Sequence, residues 1–189
     1  ASFQRAGAGA AHLVRINPLT GAYQVLGEVR DGSNNTIEQP QAGAISEDGN
    51  SLYWARGANN YFDVVDIASL SASRLNTSGG VSAFDAALHP VNGQLYAASV
   101  SDGSDINVFD PNTGAKTQLA VSPALPTPSG AAAFDAIGQF LYVFINTTSD
   151  IYKVDLSKTP ARASLVSSGS TALDMNDAAG CLAASDIRL

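Results

Sequence analysis

Three Leu-Tyr pairs recur along this chain at a nearly constant spacing. They are Leu52-Tyr53, Leu95-Tyr96 and Leu141-Tyr142, which lie 43 and 46 residues apart. A turn signal precedes each pair, in the segments EDGNSLY, PVNGQLY and AIGQFLY, and glycine in such a signal permits the positive φ of a tight hairpin turn. A period of this length is typical of repeated supersecondary units, each of which must bury its apolar face against a neighbour.

A second marker follows each pair. Asp66, Asp110 and Asp155 end the segments VVD, VFD and KVD, 13 or 14 residues after the tyrosine. Each unit is therefore predicted to contain four strands: a small apolar strand such as SAFDAAL or GAAAF, the Leu-Tyr strand, the strand ending in Asp, and an outer strand such as KTQLAV or RASLVS. The Leu-Tyr strands are apolar on both faces, so both faces need cover. Blades stacked around an axis provide that cover, and we predict an all-β fold, a β-propeller.

The repeat also predicts the number of blades and how the ends of the chain are used. Residues 41–80, 81–128 and 129–175 give three complete units. The N-terminus supplies three further strands, SFQRAG, HLVRIN and AYQVLG, and residues 177–185 (DAAGCLAAS) supply one. Together these would form a composite blade, so we expect one domain over residues 1–189 with four blades of four antiparallel strands. A five-bladed or partial ring is the alternative.

Composition excludes several classes of function. The net charge is −7, the ten basic residues are scattered without a run, and these features argue against nucleic-acid binding and against an anionic membrane surface. Cys181 is the only cysteine, so an intrachain disulfide is impossible. The longest apolar runs, such as FLYVFI, are too short to cross a bilayer, so no transmembrane segment is expected. Only 14% of residues are charged, which together with many small polar residues favours an extracellular or cell-surface location.

One stretch of the chain resembles a known group of domains. The segment FDAIGQFLYVFINTTSDIYKVDLS, followed by MNDAAGCLAA, resembles the WD40/YVTN-like propeller repeat domains of secreted and surface-anchored microbial proteins. Their pattern is close to FDxxGxLYV…xIYxVDL with an Asn-Asp-Gly/Ala-Ala-x-Cys tail. The best match covers residues 130–182, and Ala178 stands where glycine is commoner. The resemblance implies a propeller fold and a secreted or surface location, and many such domains have no assigned activity.

Two similar segments, INPLTGAYQVL and FDPNTGAKTQL, place a short polar residue between a strand and a tight turn. Gly21 and Gly114 close these turns. A carboxylate or amide at such a position accepts hydrogen bonds from backbone N–H groups two residues further on. Four residues are therefore predicted to fix turns between third and outer strands rather than to perform chemistry. They are Asn17, Asp66, Asp110 and Asp155.

The segment WARGANNYFD differs most from its counterparts in the other units. Aromatic, guanidinium and amide groups together suit recognition of a sugar or a protein, through stacking and planar hydrogen bonding. Trp54 aligns with Ala97 and Val143, which predicts that it belongs to the core. The candidate binding residues are therefore Arg56, Asn59, Asn60 and Tyr61.

Two groups of carboxylates are candidate cation ligands, for which Ca²⁺ would be the possible cofactor. Strand-opening positions of a propeller approach its central channel, which brings Asp85 and Asp177 there. The segment SDGSDIN offers Asp102, Asp105 and Asn107 from what is expected to be a loop. This loop lacks the complete ligand set of a dedicated calcium motif, so a solvated strand connection is the simpler interpretation.

Catalytic signatures are sparse. His12 and His89 belong to different units and neither lies in a zinc-protease or hydrolase motif. The leading hypothesis is a non-enzymatic extracellular binding or scaffold module of a surface or adhesin-type protein, whose ligand would be a glycan or a protein. The alternatives are a propeller hydrolase or lactonase that uses a channel-bound cation, and a structural subunit that self-associates.

Overall fold

A computed structural model describes residues 2–6, 10–38, 40–55, 59–83, 85–98, 106–169 and 171–172. Within these ranges the chain forms seventeen β-strands and four sheets, without a helix. In the same ranges there is accordingly no helix long and apolar enough to cross a membrane.

The four sheets follow one another in chain order. The first contains β1 (Ser2–Ala6), β2 (Ala10–Ile16) and β3 (Tyr23–Glu28). The second contains β4 (Arg30–Asp31), β5 (Ala42–Ile45), β6 (Ser51–Ala55), β7 (Tyr61–Asp66) and β8 (Ser71–Asn76). The third contains β9 (Ala87–Leu88), β10 (Leu95–Ala98), β11 (Ile106–Phe109) and β12 (Lys116–Leu119). The fourth contains β13 (Val121–Ser122), β14 (Ser129–Phe134), β15 (Phe140–Ile145), β16 (Ile151–Asp155) and β17 (Ala161–Ser167).

The predicted units correspond to these sheets. In each one the Leu-Tyr strand, the strand that ends at or just before Asp, and the outer strand pair antiparallel in sequence order, as in β15–β16–β17. The three N-terminal strands share the first sheet, as predicted. Residues 177–185, which were predicted to complete that sheet, lie outside the described residues, so the closed four-bladed ring stays a prediction.

The prediction of four antiparallel strands in every unit is wrong in two sheets. The connector that leaves one sheet runs along the outer edge of the next and adds a fifth, parallel strand: β4 pairs with β8, and β13 pairs with β17. The outer strand of an isolated blade exposes unpaired N–H and C=O groups. The connector satisfies some of them, for example by the bond from Arg30 N to Leu70 O at 3.1 Å.

The opening strand of the third sheet is also shorter than predicted. Among the described residues of SAFDAAL, only β9 is a strand, and it pairs with β10 at Leu88–Leu95 and Ala87–Tyr96. Asp85 is buried, with 4% of the residue exposed. Its carboxylate accepts the backbone N–H of Ala86 and the backbone N–H of Ala132 in β14, both at 2.8 Å. Asp85 thereby joins the third sheet to the fourth.

Each junction between consecutive sheets is filled by its own apolar cluster. Between the second and third sheets the rings of Phe62 and Phe109 meet edge to face with centroids 5.3 Å apart, a favoured aromatic geometry. Between the first and second sheets Trp54 is 1% exposed, which confirms the core position predicted for it. Both faces of the second and third sheets are therefore buried, as the apolar Leu-Tyr strands require.

Candidate functional site

The polar residues at the ends of the third strands fix turns. Asn17 Oδ1 accepts the N–H of Leu19 at 2.9 Å, and Asp110 Oδ1 accepts that of Asn112 at 2.7 Å. Asp66 Oδ1 and Asp155 Oδ1 accept the N–H groups of later serines in the same way. Hydrogen bonds to the ionised form lower the pKa of Asp66, Asp110 and Asp155 below 3.8. The structural role predicted for these residues is confirmed.

The four candidate binding residues do not form one site in the described part of the chain. Arg56 lies outside the described residues. The backbone carbonyl groups of Asn59 and Asn60 accept the N–H groups of Val81 and Thr77, at 2.9 and 2.8 Å. These bonds fix the segment that leads from the second sheet to the third. Tyr61 begins β7 and lines a cleft between the connector at residues 31–38 and the strands β7 and β8.

The candidate cation ligands are not brought together in the part of the chain that the structure describes. Asp102, Asp105 and Asp177 lie outside that part, and Asp85 makes the bonds described above. The described residues contain no group of three His, Cys, Asp or Glu side chains suited to a metal ion. Asn107 is not in a loop: it lies within β11, fully buried, opposite Ala97 and Gln118.

The cleft at Tyr61 has a volume of about 530 Å³, within the range of small-molecule sites. One wall is formed by residues 31–38 of the connector that leads from the first to the second sheet. The other wall is the face of β7 and β8 that points toward the first sheet. Its lining residues are Asp31, Gly32, Ser33, Thr36, Ile37, Glu38, Tyr61, Asp63, Ala72, Ser73 and Arg74.

The connector wall is held by many short-range bonds. The Asp31 carboxylate accepts the backbone N–H groups of Ser33 and Asn35 at 2.9 and 2.8 Å, and also the Asn35 side-chain amide at 3.0 Å. Arg30 donates to Glu28 Oε2 and to the carbonyl of Asn34, both at 2.9 Å. A loop with this many internal bonds loses less entropy when a ligand binds.

The connector is also attached to the first sheet. Ala11 donates its N–H to the carbonyl of Ile37 at 3.2 Å, and its carbonyl accepts the N–H of Val29 at 2.9 Å. Val29 and Ile37 are buried in the cluster between the first two sheets. The polar connector residues that line the cleft are thus flanked in sequence by two residues packed in the core.

The residues of the second wall are set by the alternation of side chains along β7 and β8, because every second side chain of a strand points to the same face. In β7, Tyr61, Asp63 and Val65 point to the same face; Val65 is buried in the core, and Tyr61 and Asp63 line the cleft. Arg74 of β8 is directly opposite Asp63 in the register. Its guanidinium carbon lies 3.8 Å from the centroid of the Tyr61 ring, in a cation–π contact.

The cleft is acidic. Asp31, Glu38 and Asp63 contribute three carboxylates against the guanidinium of Arg74, a formal balance of −2. Hydrogen bonds from Asn35 lower the pKa of Asp31, and the charge of Arg74 acts in the same direction. Asp63 is only 7% exposed, which is unusual for an aspartate because a charge loses solvation when it is buried.

Of the cleft residues only Tyr61 was among the sequence candidates. A signal for Asp63 exists in YFDVVD, where an aspartate occupies a face that Val65 commits to the interior. Arg74 and the residues of the connector could not be assigned to the same site, because their approach depends on the strand register and on how two sheets pack.

Solved structures similar to this chain include propeller proteins. The β-propeller domain of Cps50 (Swd1) from Myceliophteria thermophila is 15% identical, with a TM-score of 0.53, over 90% of this chain and 60% of that domain. TolB from Acinetobacter baumannii is 14% identical, with a TM-score of 0.59, over 84% and 38% of the two chains. An auxiliary nutrient binding protein from Bacteroides ovatus is 17% identical, with a TM-score of 0.59, over 84% and 42%.

At this level of identity the likeness concerns the fold alone, and it supports the predicted propeller-repeat architecture. The chain spans less than two thirds of each of these relatives. No curated protein matches it. A family model described as "Repeat of unknown function (DUF6923)" matches residues 3–183, and the chain therefore belongs to that repeat family.

Proposed function

We propose that this chain is a non-enzymatic binding module, located outside the cell or in the cell envelope, that takes a glycan in the cleft between residues 31–38 and the strands β7 and β8. The observation that carries the proposal is the stack of Arg74 on Tyr61 beside the buried carboxylate of Asp63. A planar guanidinium, an aromatic ring and a carboxylate offer the stacking surface and the paired hydrogen bonds that hydroxyl-rich ligands use.

The surroundings of this stack support binding more than catalysis. The connector wall is fixed by its own hydrogen bonds, and its polar residues Ser33 and Thr36 also line the cleft. One of the similar structures is named as an auxiliary nutrient binding protein, which agrees with a binding role. The small-polar, weakly charged composition agrees with an extracellular or envelope location.

The alternative function is a hydrolase that uses a cation bound in the channel. Of its two predicted channel ligands, Asp85 and Asp177, only Asp85 lies in the described part of the chain. Both oxygens of that carboxylate already accept backbone N–H groups, from Ala86 and Ala132. These bonds support a structural role for Asp85, and the described residues bring no group of three His, Cys, Asp or Glu side chains together to hold a cation, so the binding module is the better-supported function.

The test is a glycan array followed by calorimetry with the best ligands, using the wild-type chain and Arg74→Gln. Loss of the guanidinium removes both the stack and a charged donor, so we expect affinity to fall about tenfold or more. Arg162→Gln is the matched control, because Arg162 is exposed on β17 in the fourth sheet. An array without ligands, or an equal loss in both variants, would refute the proposal.

A further inference from the structure

The outer edge of the first sheet lacks a contact that the next two sheets receive. In these three sheets the turn before the outer strand contains a residue with a positive φ, which is Gly21, Leu70 or Gly114. The carbonyl of Leu70 accepts the N–H of Arg30, and that of Gly114 accepts the N–H of Ser78, both at 3.1 Å. Each donor belongs to the connector that arrives from the preceding sheet. In the described part of the chain no connector reaches Gly21, and a Cβ built there would meet no atom within 4 Å.

The residue just before the polar end of the third strand shows the same difference. Val65, Phe109 and Val154 occupy this position in the second, third and fourth sheets, and each is 0% exposed. They are covered by the preceding sheet, in the apolar clusters at the three junctions. Ile16 occupies the same position in the first sheet and is 43% exposed. The first sheet therefore leaves uncovered a position that the repeat buries elsewhere.

Ile16 belongs to an exposed apolar surface that we call the start face, formed by Ile16, Tyr23 and Val25. Ile16 pairs with Tyr23 of β3, and Val25 points to the same side of the sheet. Leu13, three residues before Ile16, points the other way, into the cluster with the second sheet. Tyr23 is 71% exposed and Val25 is 49% exposed. An apolar patch of this kind beside an open strand edge is typical of an interaction site.

The fourth sheet leaves the opposite kind of surface uncovered. Phe62 and Ile106 lie on the faces that the second and third sheets turn toward the sheet that follows, and both are 0% exposed. Ile151 has the same position in the fourth sheet, four residues before Asp155, but it is only half-buried. Its register partner Phe144 is half-buried too. We call Phe144 and Ile151 the end face.

The start face and the end face do not cover each other within one chain, because Ile16 and Tyr23 remain exposed. The Cps50 propeller domain is similar in fold, and 90% of this chain matches only 60% of that domain. Four sheets in this arrangement thus account for part of a ring. At each internal junction a start-face position is covered by the equivalent of the end face, so a second copy of the chain carries the missing partner of each face.

We propose that two copies of this chain associate head to tail, with the start face of each packed on the end face of the other, and close one ring of eight sheets. Eight blades are within the range of known propellers. The contact is heterologous, and it stops at two copies because the ring closes. This ring takes the place of a four-bladed ring within one chain. The proposal goes beyond glycan binding and does not depend on the cleft.

Sedimentation velocity over protein concentrations from about 1 to 100 µM tests the proposal, and we expect a species of two copies that dissociates on dilution. Ile16→Asp puts a carboxylate into the start face and should raise the dissociation constant about tenfold or more. Tyr23→Asp, at a more exposed position, should do the same and serves if Ile16→Asp does not fold. Val91→Asp, at a position 75% exposed in a turn of the third sheet, is the control and should dimerise like the wild-type chain.

A mixing experiment tests the head-to-tail arrangement. Ile151→Asp disrupts the end face and leaves the start face intact, and Phe144→Ser serves if that variant does not fold. At a concentration where the wild-type chain is dimeric, Tyr23→Asp and Ile151→Asp should each be monomeric alone. Their mixture should form a dimer, because one of its two contacts joins an intact start face to an intact end face.

Several results would overturn the proposal. A single copy at every concentration would show that the two faces do not associate. A dimer that survives both Ile16→Asp and Tyr23→Asp, or one that Val91→Asp also abolishes, would place the contact elsewhere. A mixture of Tyr23→Asp and Ile151→Asp that stays monomeric would exclude head-to-tail packing, and species larger than two copies would exclude closure at two.

Discussion

At the scale of single residues, an aspartate in or at the end of a third strand can serve the fold or a candidate site. The aspartates at the ends of the third strands are exposed or half-buried, recur in the second, third and fourth sheets, and hold turns. Asp63, which does not recur, is buried beside a cleft. Recurrence in a repeat therefore identifies what the fold needs, and departure from recurrence identifies a candidate site.

The glycines that close two of these turns give a residue-scale prediction. Gly21 and Gly114 have φ angles of 69° and 70°, which cost a residue with Cβ about 1 kcal/mol or more. A Cβ at Gly114 would lie 1.9 Å from the carbonyl oxygen of Asn76, whereas none at Gly21 meets an atom within 4 Å. Gly114→Ala should therefore destabilise the fold by about 3 kcal/mol, against about 1 kcal/mol for Gly21→Ala.

Urea unfolding of the two variants measures this difference, since they share the turn type and the substitution. Equal destabilisation would mean that the connector at Asn76 moves away from the third sheet at little cost, and would contradict the close approach seen there.

At the scale of elements, the strands could be predicted and the connectors could not. Strand order, hairpin turns and unit boundaries follow from alternation and Asn-Gly or Asp-Gly signals within one unit. The parallel strands β4 and β13 have only two residues each, too few for any pattern. They form because the outer strand of the next sheet offers free backbone groups, a condition that belongs to the packed molecule.

The bond of Asp85 across two sheets gives an element-scale prediction. In Asp85→Asn the side chain keeps one acceptor oxygen, so one of the N–H groups of Ala86 and Ala132 would face an amide donor inside the protein. An unsatisfied buried group costs about 1–3 kcal/mol, and the free energy of unfolding should fall by that amount. Glu47→Gln, an exposed carboxylate-to-amide change, should be neutral. A variant as stable as this control would show that Asp85 does not join the sheets.

At the scale of the whole molecule, the repeat explains why the fold was predictable and the cleft was not. The repeat period is about forty-five residues, each sheet is formed within one contiguous stretch of the chain, and each junction is filled by apolar residues of the two sheets that meet there. The cleft combines the connector of one unit with the strand face of the next, so its members are up to about forty residues apart and share no local pattern. Only Tyr61 was predicted from the sequence, and the signal at Asp63 could be interpreted only once the face of β7 was known.

The junction between the third and fourth sheets contains a histidine that we expect to make the stability of the fold depend on pH. His89 is half-buried, with its ring centroid 4.9 Å from that of Phe134 in the fourth sheet. Its Nδ1 accepts the N–H groups of Val91 and Asn92, at 3.1 and 3.2 Å. Burial lowers the pKa of His89 below 6.5, against an opposing effect of the Asp135 charge.

This arrangement predicts two steps in stability as the pH falls. The unfolded chain protonates His89 near pH 6.5 and the folded chain only at lower pH, so the free energy of unfolding should decrease as the pH falls below that value. A second decrease should begin near pH 3.8, because the pKa values of Asp31, Asp48, Asp66, Asp110 and Asp155 are lowered in the folded state. Urea unfolding across a pH series measures both steps.

The two steps have different origins, and a variant separates them. His89→Gln cannot be protonated, so it should lose the first step and retain the second, whatever its stability at neutral pH. If His89→Gln retained the first step, protonation would be acting elsewhere than in the junction of the third and fourth sheets. If it lost the step, acid would weaken the protein first at this junction, while the turns capped by aspartate persisted until their carboxylates were protonated.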